Sequence, residues 1–165
     1  LRNRQAAPAA IPVMDMPHQC PGSAMRSFDR PAAAPSSALP AGPMPSELSN
    51  WPIQLTLVPP AAPYLHDADI LLVADCVPFA YPEFHQRFLR NKPVLIGCPK
   101  LDNAQEYFQT LTEMFKQFSI KSVSVVRMEV PCCGGIAMAA RQALAASGKE
   151  IPYKEVTVGI RGEIR

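Results

Sequence analysis

The sequence predicts a doubly wound α/β domain: a mostly parallel five-stranded sheet with flanking helices, preceded by an extended Pro/Ala-rich arm. Three observations predict it. Hydrophobic residues make up 48% of the 165 and charged residues 18%, enough apolar side chains for a packed core. From Trp51 onward, short apolar runs alternate with helical patterns, the signature of strand–helix–strand units. One of those runs, Asp69-Ile-Leu-Leu-Val-Ala74, is nearly all apolar, as a strand buried on both faces of a parallel sheet must be.

Residues 1–50 form the arm. Ten of the 19 prolines fall in the first 52 residues. Runs such as Pro31-Ala-Ala-Ala-Pro35 cannot hold a helix, because proline removes a donor and restricts its predecessor. One island interrupts the arm, His18-Gln19-Cys20-Pro21-Gly22-Ser23. A chain starting Leu1-Arg2-Asn3-Arg4 is expected to be processed or truncated. The stretch Ala6–Val13 is too short and too broken by proline for a signal-peptide core.

Residues 51–165 form the domain, and its elements follow in order. Ile53–Val58 reads as a strand ended by Pro59-Pro60. After the apolar strand at 69–74, Pro82–Leu89 reads as a short helix with proline in its first turn. Val94–Gly97 is the next strand. The clearest helix follows: Asp102 and Gln105 have capping-box spacing, and Ala104, Tyr107, Phe108, Leu111, Met114, Phe115 and Phe118 recur with helical period. Ser122–Met128 is a strand, Gly135–Ser147 a helix closed by Gly148, and Glu155–Ile160 the last strand.

Charge narrows the function classes. Sixteen basic residues against 14 acidic ones give a net charge of +2, and they are scattered rather than striped, so nucleic acid is not the expected partner. No apolar run reaches the roughly 18 residues of a membrane helix. No phosphate-binding glycine loop and no nucleophile elbow occur, so nothing points to a nucleotide or to acyl transfer. Five cysteines, an odd number in a chain too large to need disulfide staples, suit the reducing cytoplasm with the thiols kept as ligands or reactive groups.

The cysteines carry the functional reading. Cys76, Cys98 and the pair Cys132-Cys133 each follow a predicted strand, at separations of 22 and 34 residues. In a parallel sheet all strand carboxyl ends share one edge, where open α/β folds bind ligands, so the four thiols should converge there. Adjacent cysteines have Cα atoms about 3.8 Å apart, below the usual disulfide range, so Cys132 and Cys133 are better ligands than a bridge. Gly134 and Gly135 should let backbone approach a bulky group, and the helix start should lower thiol pKa values. Lys100 is a candidate for placing positive charge beside an anionic cluster. The candidate metal ligands are therefore Cys76, Cys98, Cys132, Cys133 and Cys20, with Gly134, Gly135 and Lys100 as cofactor-binding residues. An iron–sulfur cluster needs about four thiolates around an apolar cavity. Structural zinc also takes four cysteines, but its usual CxxC knuckles are missing. Inert buried thiols are the remaining reading. His18, His66 and His85 are expected on solvated surface, Asp102 as a helix cap, and Arg127 with Glu129 as an ion pair or a tuner of potential.

Several blocks carry a resemblance: His18-Gln-Cys-Pro-Gly-Ser23, Asn50-Trp-Pro-Ile-Gln-Leu55, Leu57-Val-Pro-Pro-Ala-Ala-Pro-Tyr64, Ala74-Asp-Cys-Val-Pro-Phe-Ala-Tyr81, Ile96-Gly-Cys-Pro-Lys-Leu-Asp102, Arg127-Met-Glu-Val-Pro-Cys-Cys-Gly-Gly135 and Gly159-Ile-Arg-Gly-Glu-Ile164. Together they resemble a family of ferredoxin-type 4Fe-4S proteins of anaerobic bacteria and archaea. The resemblance implies cluster binding and electron transfer in a larger redox assembly, with a redox protein or ferredoxin-type module as partner and homo-oligomers possible in principle. Members carry an N-terminal two-cluster module that this chain does not contain, so a fragment or a variant is expected. The gap from Cys98 to Cys132-Cys133-Gly134 is also similar to the CCG domains of heterodisulfide-reductase-like proteins, although no cysteine follows Cys133 to complete their pattern. Two alternatives stay open: a zinc- or thiol-stabilised interaction subunit, and a cluster enzyme acting on a thiol or disulfide.

Overall fold

The computed structural model describes Arg26–Ser27 and residues 45–165. His18 and Cys20 lie outside the described residues. In chain order the elements are β1 (Arg26–Ser27), β2 (Asn50–Trp51), β3 (Ala68–Ala74), α1 (Val77–Ala80), β4 (Val94–Gly97), α2 (Ala104–Gln117), β5 (Ile120–Met128), α3 (Gly134–Ser147) and β6 (Tyr153–Val158). Short 3-10 turns cover Pro63–Leu65 and Pro131–Cys133, and a π-type turn covers His85–Leu89.

The main sheet has four strands in the order β4-β3-β5-β6, every neighbouring pair parallel. Alternation decides which side chains go where. Ile70, Leu72, Val123 and Val125 face one layer, packed by Tyr107, Leu111, Met114 and Phe115 of α2 and by Ile136, Ala140 and Ala143 of α3. Leu71, Val73, Val126, Met128 and Val158 face the other, packed by Val77, Tyr81, Phe84 and Leu89. β3 is thus buried on both sides, as its unbroken apolar run requires. Each of its four central side chains contributes roughly 2 kcal/mol by leaving water.

The helices on the α2–α3 face follow their sequence signals. α3 ends at Gly148, whose φ of 70° is the left-handed conformation that glycine adopts without strain. α2 is capped one residue later than its spacing predicts: Asn103 accepts from the Gln105 N–H at 3.0 Å, which releases Asp102 for other work. The opposite face departs further. The predicted helix at 82–89 is a turn followed by the π-type turn, and α1 forms one unpredicted helical turn just before Pro82.

The sheet has four strands rather than five because Ile53–Val58 does not extend along it. Asn50, fully buried, takes the place of a strand by means of its side chain. Its Oδ1 accepts from the Val94 N–H at 2.8 Å, and its Nδ2 donates to the carbonyls of Val94 and Pro52, both at 3.1 Å. One parallel bridge then joins Gln54 to Ile96, with Ile96 N–H donating to Ile53 O and Leu55 N–H to Ile96 O. The chain turns at once, Leu57 and Val58 N–H both returning to Gln54 O. These bonds satisfy the outward-facing groups of β4, an edge strand that would otherwise be open to pairing. β1 pairs antiparallel with β2 outside this edge, Arg26 opposite Trp51 and Ser27 opposite Asn50. No helix among the described residues is long and apolar enough to cross a membrane.

Candidate functional site

The strand order fixes where a site can form. From β3 the chain crosses to β4 on one side of the sheet, and from β4 it returns across β3 to β5 on the other. The carboxyl ends of β3 and β5 therefore flank a topological switch point, where loops diverge and leave a crevice. Cys76 lies two residues after β3, at the start of α1. Cys132 and Cys133 occupy the 3-10 turn between β5 and α3. All three thiols therefore sit on the loops that flank the switch point. Cys132 is within hydrogen-bonding distance of Cys133, and Cys76 is close enough to act on it electrostatically.

Their environments differ. Cys76 and Cys132 are exposed, whereas Cys133 is 4% exposed and packs with Val77, Met128 and Val158. Burial pushes the Cys133 thiol up, and the neighbouring Cys132 and Cys76 add to that against a backbone hydrogen bond at Met128. This corrects the expectation that the start of α3 lowers the pKa of every thiol there: for Cys133, desolvation outweighs it.

Cys98 lies just past β4, half-buried, in a turn closed by Leu101 and Asp102 N–H groups donating to Cys98 O at 3.0 and 2.9 Å. Its own N–H points at Asp102 Oδ2, 3.5 Å away, and the same oxygen accepts a very short hydrogen bond from the Tyr107 hydroxyl. Tyr107 is fully buried, and burial together with the Asp102 carboxylate drives its pKa far up, so it stays a donor. Gln54 bonds the Asp75 carboxylate, which burial and then the Asp102 charge push upward. Sequence reasoning missed this polar network, because Tyr107 sits on the apolar stripe of α2 and reads as core.

Gly97 and Gly135 explain how these loops close. A Cβ on Gly97 would lie 2.2 Å from the Tyr107 hydroxyl oxygen, so the network requires glycine there. A Cβ on Gly135 would lie 2.9 Å from Pro99, which shows the Cys98 loop reaching past the end of β3 to touch the start of α3. Gly135 is therefore needed for contact within the protein. Gly134 opens onto free space, its added Cβ meeting nothing within 4 Å. Lys100 is exposed on the Cys98 turn.

The remaining sequence candidates separate from the site. Arg127 pairs with Glu155 at 2.6 Å, and Glu129 with Arg165 at 2.8 Å, so the expected Arg127–Glu129 pair does not form. His66 is exposed beside Asp67, and His85 accepts from the Glu47 N–H at 3.2 Å. Among the described residues, no three His, Cys, Asp or Glu side chains stand close enough to enclose a metal ion. The donor chemistry still suits a soft metal: four unbridged thiols on three loops that touch one another, two of them open to solvent.

A family model described as a Rossmann-like domain matches residues 62–165. The chain belongs to that family. The matched region takes in all four strands of the parallel sheet and the four edge cysteines. In this family member the turn after β3 reads Asp75-Cys76-Val77-Pro78, without the glycines that a dinucleotide pyrophosphate needs. Membership therefore speaks for the fold. An uncharacterised protein of Archaeoglobus fulgidus is 30% identical over 118 residues, 72% of this chain and 83% of the relative. No solved structure matches the chain significantly.

Proposed function

We propose that this protein holds an iron–sulfur cluster, 4Fe-4S in the first instance, at the carboxyl edge of its sheet and passes electrons within a larger redox assembly. The observation that supports the reading is the placement of Cys76, Cys132 and Cys133 on the loops flanking the topological switch point, Cys76 and Cys132 near enough to act on Cys133, with the Cys98 loop reaching the start of α3 through Pro99 and Gly135. Thiolates from Cys76, Cys98 and Cys132 would hold iron, with Cys133 or Cys20 as the remaining ligand. A bound cluster would supply a one-electron couple whose potential depends on sulfur hydrogen bonds and on exposure. The resemblance to ferredoxin-type 4Fe-4S proteins supports the same reading, and it suggests a ferredoxin-type module as the electron donor. Free thiols of this kind persist in a reducing cytoplasm, which is the compartment we assign.

The test is iron, sulfide and zinc analysis with visible and EPR spectra on anaerobically purified protein. The proposal expects about four irons and four sulfides per chain and a broad absorption near 400 nm. Stoichiometric zinc in a colourless protein would instead make this an interaction subunit.

A further inference from the structure

The two ends of the sheet are finished in opposite ways. The loops that lead into the strands carry His66 and Asp67 before β3, Asn91 and Lys92 before β4, and Lys149 and Glu150 before β6. The loops that leave the strands carry large apolar side chains open to water. Leu101 follows β4 and is 82% exposed, and Phe79 follows β3 at 92%. Met138, near the start of α3 after β5, is 53% exposed, and Ile160 follows β6 at 67%. Each strand of the sheet thus sends one exposed apolar residue toward the carboxyl edge, where Cys76 and Cys132 are also open. Apolar side chains gathered on one edge mark a surface that a partner covers.

Charge indicates the partner. The carboxylates on the loops that leave the strands are engaged within the protein. Asp75 accepts from Gln54, Asp102 from Tyr107, and Glu129 from the Ile160 N–H. Arg165 pairs with Glu129 and Glu163, and Arg87 with Glu83. Lys100, beside Leu101, and Arg161, beside Ile160, are exposed and make no ion pair among the described residues. β4 and β6 are the outer strands, roughly 14 Å apart at about 4.8 Å per step, so the two free cations flank the apolar residues. A second copy would bring two more cations and no free carboxylate, so the edge does not complement itself. Anionic membranes are recognised by clusters of roughly four to eight Lys and Arg, and two do not make one.

We infer that the carboxyl edge is the docking face for a different protein, an acidic redox protein. Its apolar centre sits on Phe79, Leu101 and Ile160, and its flanking carboxylates meet Lys100 and Arg161. Such pairing steers approach and fixes orientation more than it adds affinity. The docking face stands on exposure and charge; that its occupant is a redox protein rests on the proposed cluster.

The experiment titrates the full chain, as purified anaerobically, with a purified acidic two-cluster ferredoxin in a calorimeter. One-to-one binding is expected, weakened about tenfold between about 50 mM and about 300 mM salt. Lys100→Glu with Arg161→Glu should weaken it about tenfold, and Phe79→Ser with Leu101→Ser about fivefold, while the melting temperatures hold. Lys121→Glu, an exposed cation at the other end of β5, should change nothing. No binding, or binding that the edge substitutions leave unchanged, would overturn the inference. Adsorption to phosphatidylglycerol vesicles that the same substitutions abolish would overturn it in favour of a membrane, and a dimer of the chain alone that Phe79→Ser dissolves would overturn it in favour of a second copy. Iron is measured on the same samples: docking without iron keeps the face and removes the cluster, and iron without docking keeps the cluster and removes the face.

Discussion

The two cysteine loops on either side of β3 are built in opposite ways. The Cys98 loop is held by polar chemistry: a buried tyrosine donates to Asp102, which also faces the Cys98 N–H, and a glycine makes room for that hydroxyl. The Cys132-Cys133 loop is held by apolar burial of Cys133, and the strand beneath it is clamped by ions. Glu155 accepts from Arg127 at 2.6 Å, from Arg141 at 2.8 Å and from Tyr153 at 2.9 Å, tying β5, α3 and β6 together. The comparison teaches that two thiol loops can be fixed to one edge by unrelated means, so each can be loosened without touching the other.

The largest expected effect is on the polar side. Gly97→Ala forces a methyl group into the Tyr107 hydroxyl and should lower unfolding free energy by about 3 kcal/mol, measured by urea denaturation. A variant as stable as the wild type would mean that the network gives way freely. Tyr107→Phe, which removes the donor and keeps the ring, should cost about 1.5 kcal/mol by the same assay.

The ionic side should respond to pH through Glu155. Burial alone would raise the Glu155 carboxyl, but hydrogen bonds from Arg127 and Tyr153 and the charges of Arg127 and Arg141 outweigh it and hold it below the usual carboxylate range. Tyr153, half-buried and bonded to the same carboxylate, is pushed up to about 12. A depressed carboxyl stabilises the fold fully above the unfolded value near ~4.3 and loses that stabilisation as pH falls through the lower folded value. Glu155→Gln should therefore cost about 2 kcal/mol at neutral pH, with the gap to wild type closing below about pH 4. A gap that persists unchanged in acid would show that packing, not charge, holds β6.

The smallest effects compare the thiols themselves. Cys133→Ala removes a buried group and should cost about 1 kcal/mol, whereas Cys98→Ala, half-buried and held through its backbone, should stay within about 0.5 kcal/mol. Equal costs would erase the distinction between the loops.

The same contrast explains what could be read in the residues. β3, α2 and α3 were legible because an unbroken apolar run, a seven-residue helical stripe and a terminal glycine are local signals. That the described cysteines follow strands whose carboxyl ends share one edge was legible too, since strand ends in a parallel sheet share a side whatever the side chains do. What escaped depends on partners distant in sequence. Asn50 completes the edge of β4 from 44 residues away, so Ile53–Val58 looked like a strand that the structure has no need of. Asp102 looked like a cap until Asn103 took that place, and Pro78 and Pro82 hid α1 and the irregular turn after it. The raised thiol of Cys133 reflects packing by Val77, Met128 and Val158, which no spacing rule announces.

The central claim is that three loops converge to hold one cluster, and the most direct measurement is iron content per chain in Cys76→Ser, Cys98→Ser and Cys132→Ser, purified anaerobically beside the wild type. The account predicts that each substitution lowers bound iron at least twofold and bleaches the visible band, while the folded far-ultraviolet spectrum is kept. Full iron in all three variants would contradict it.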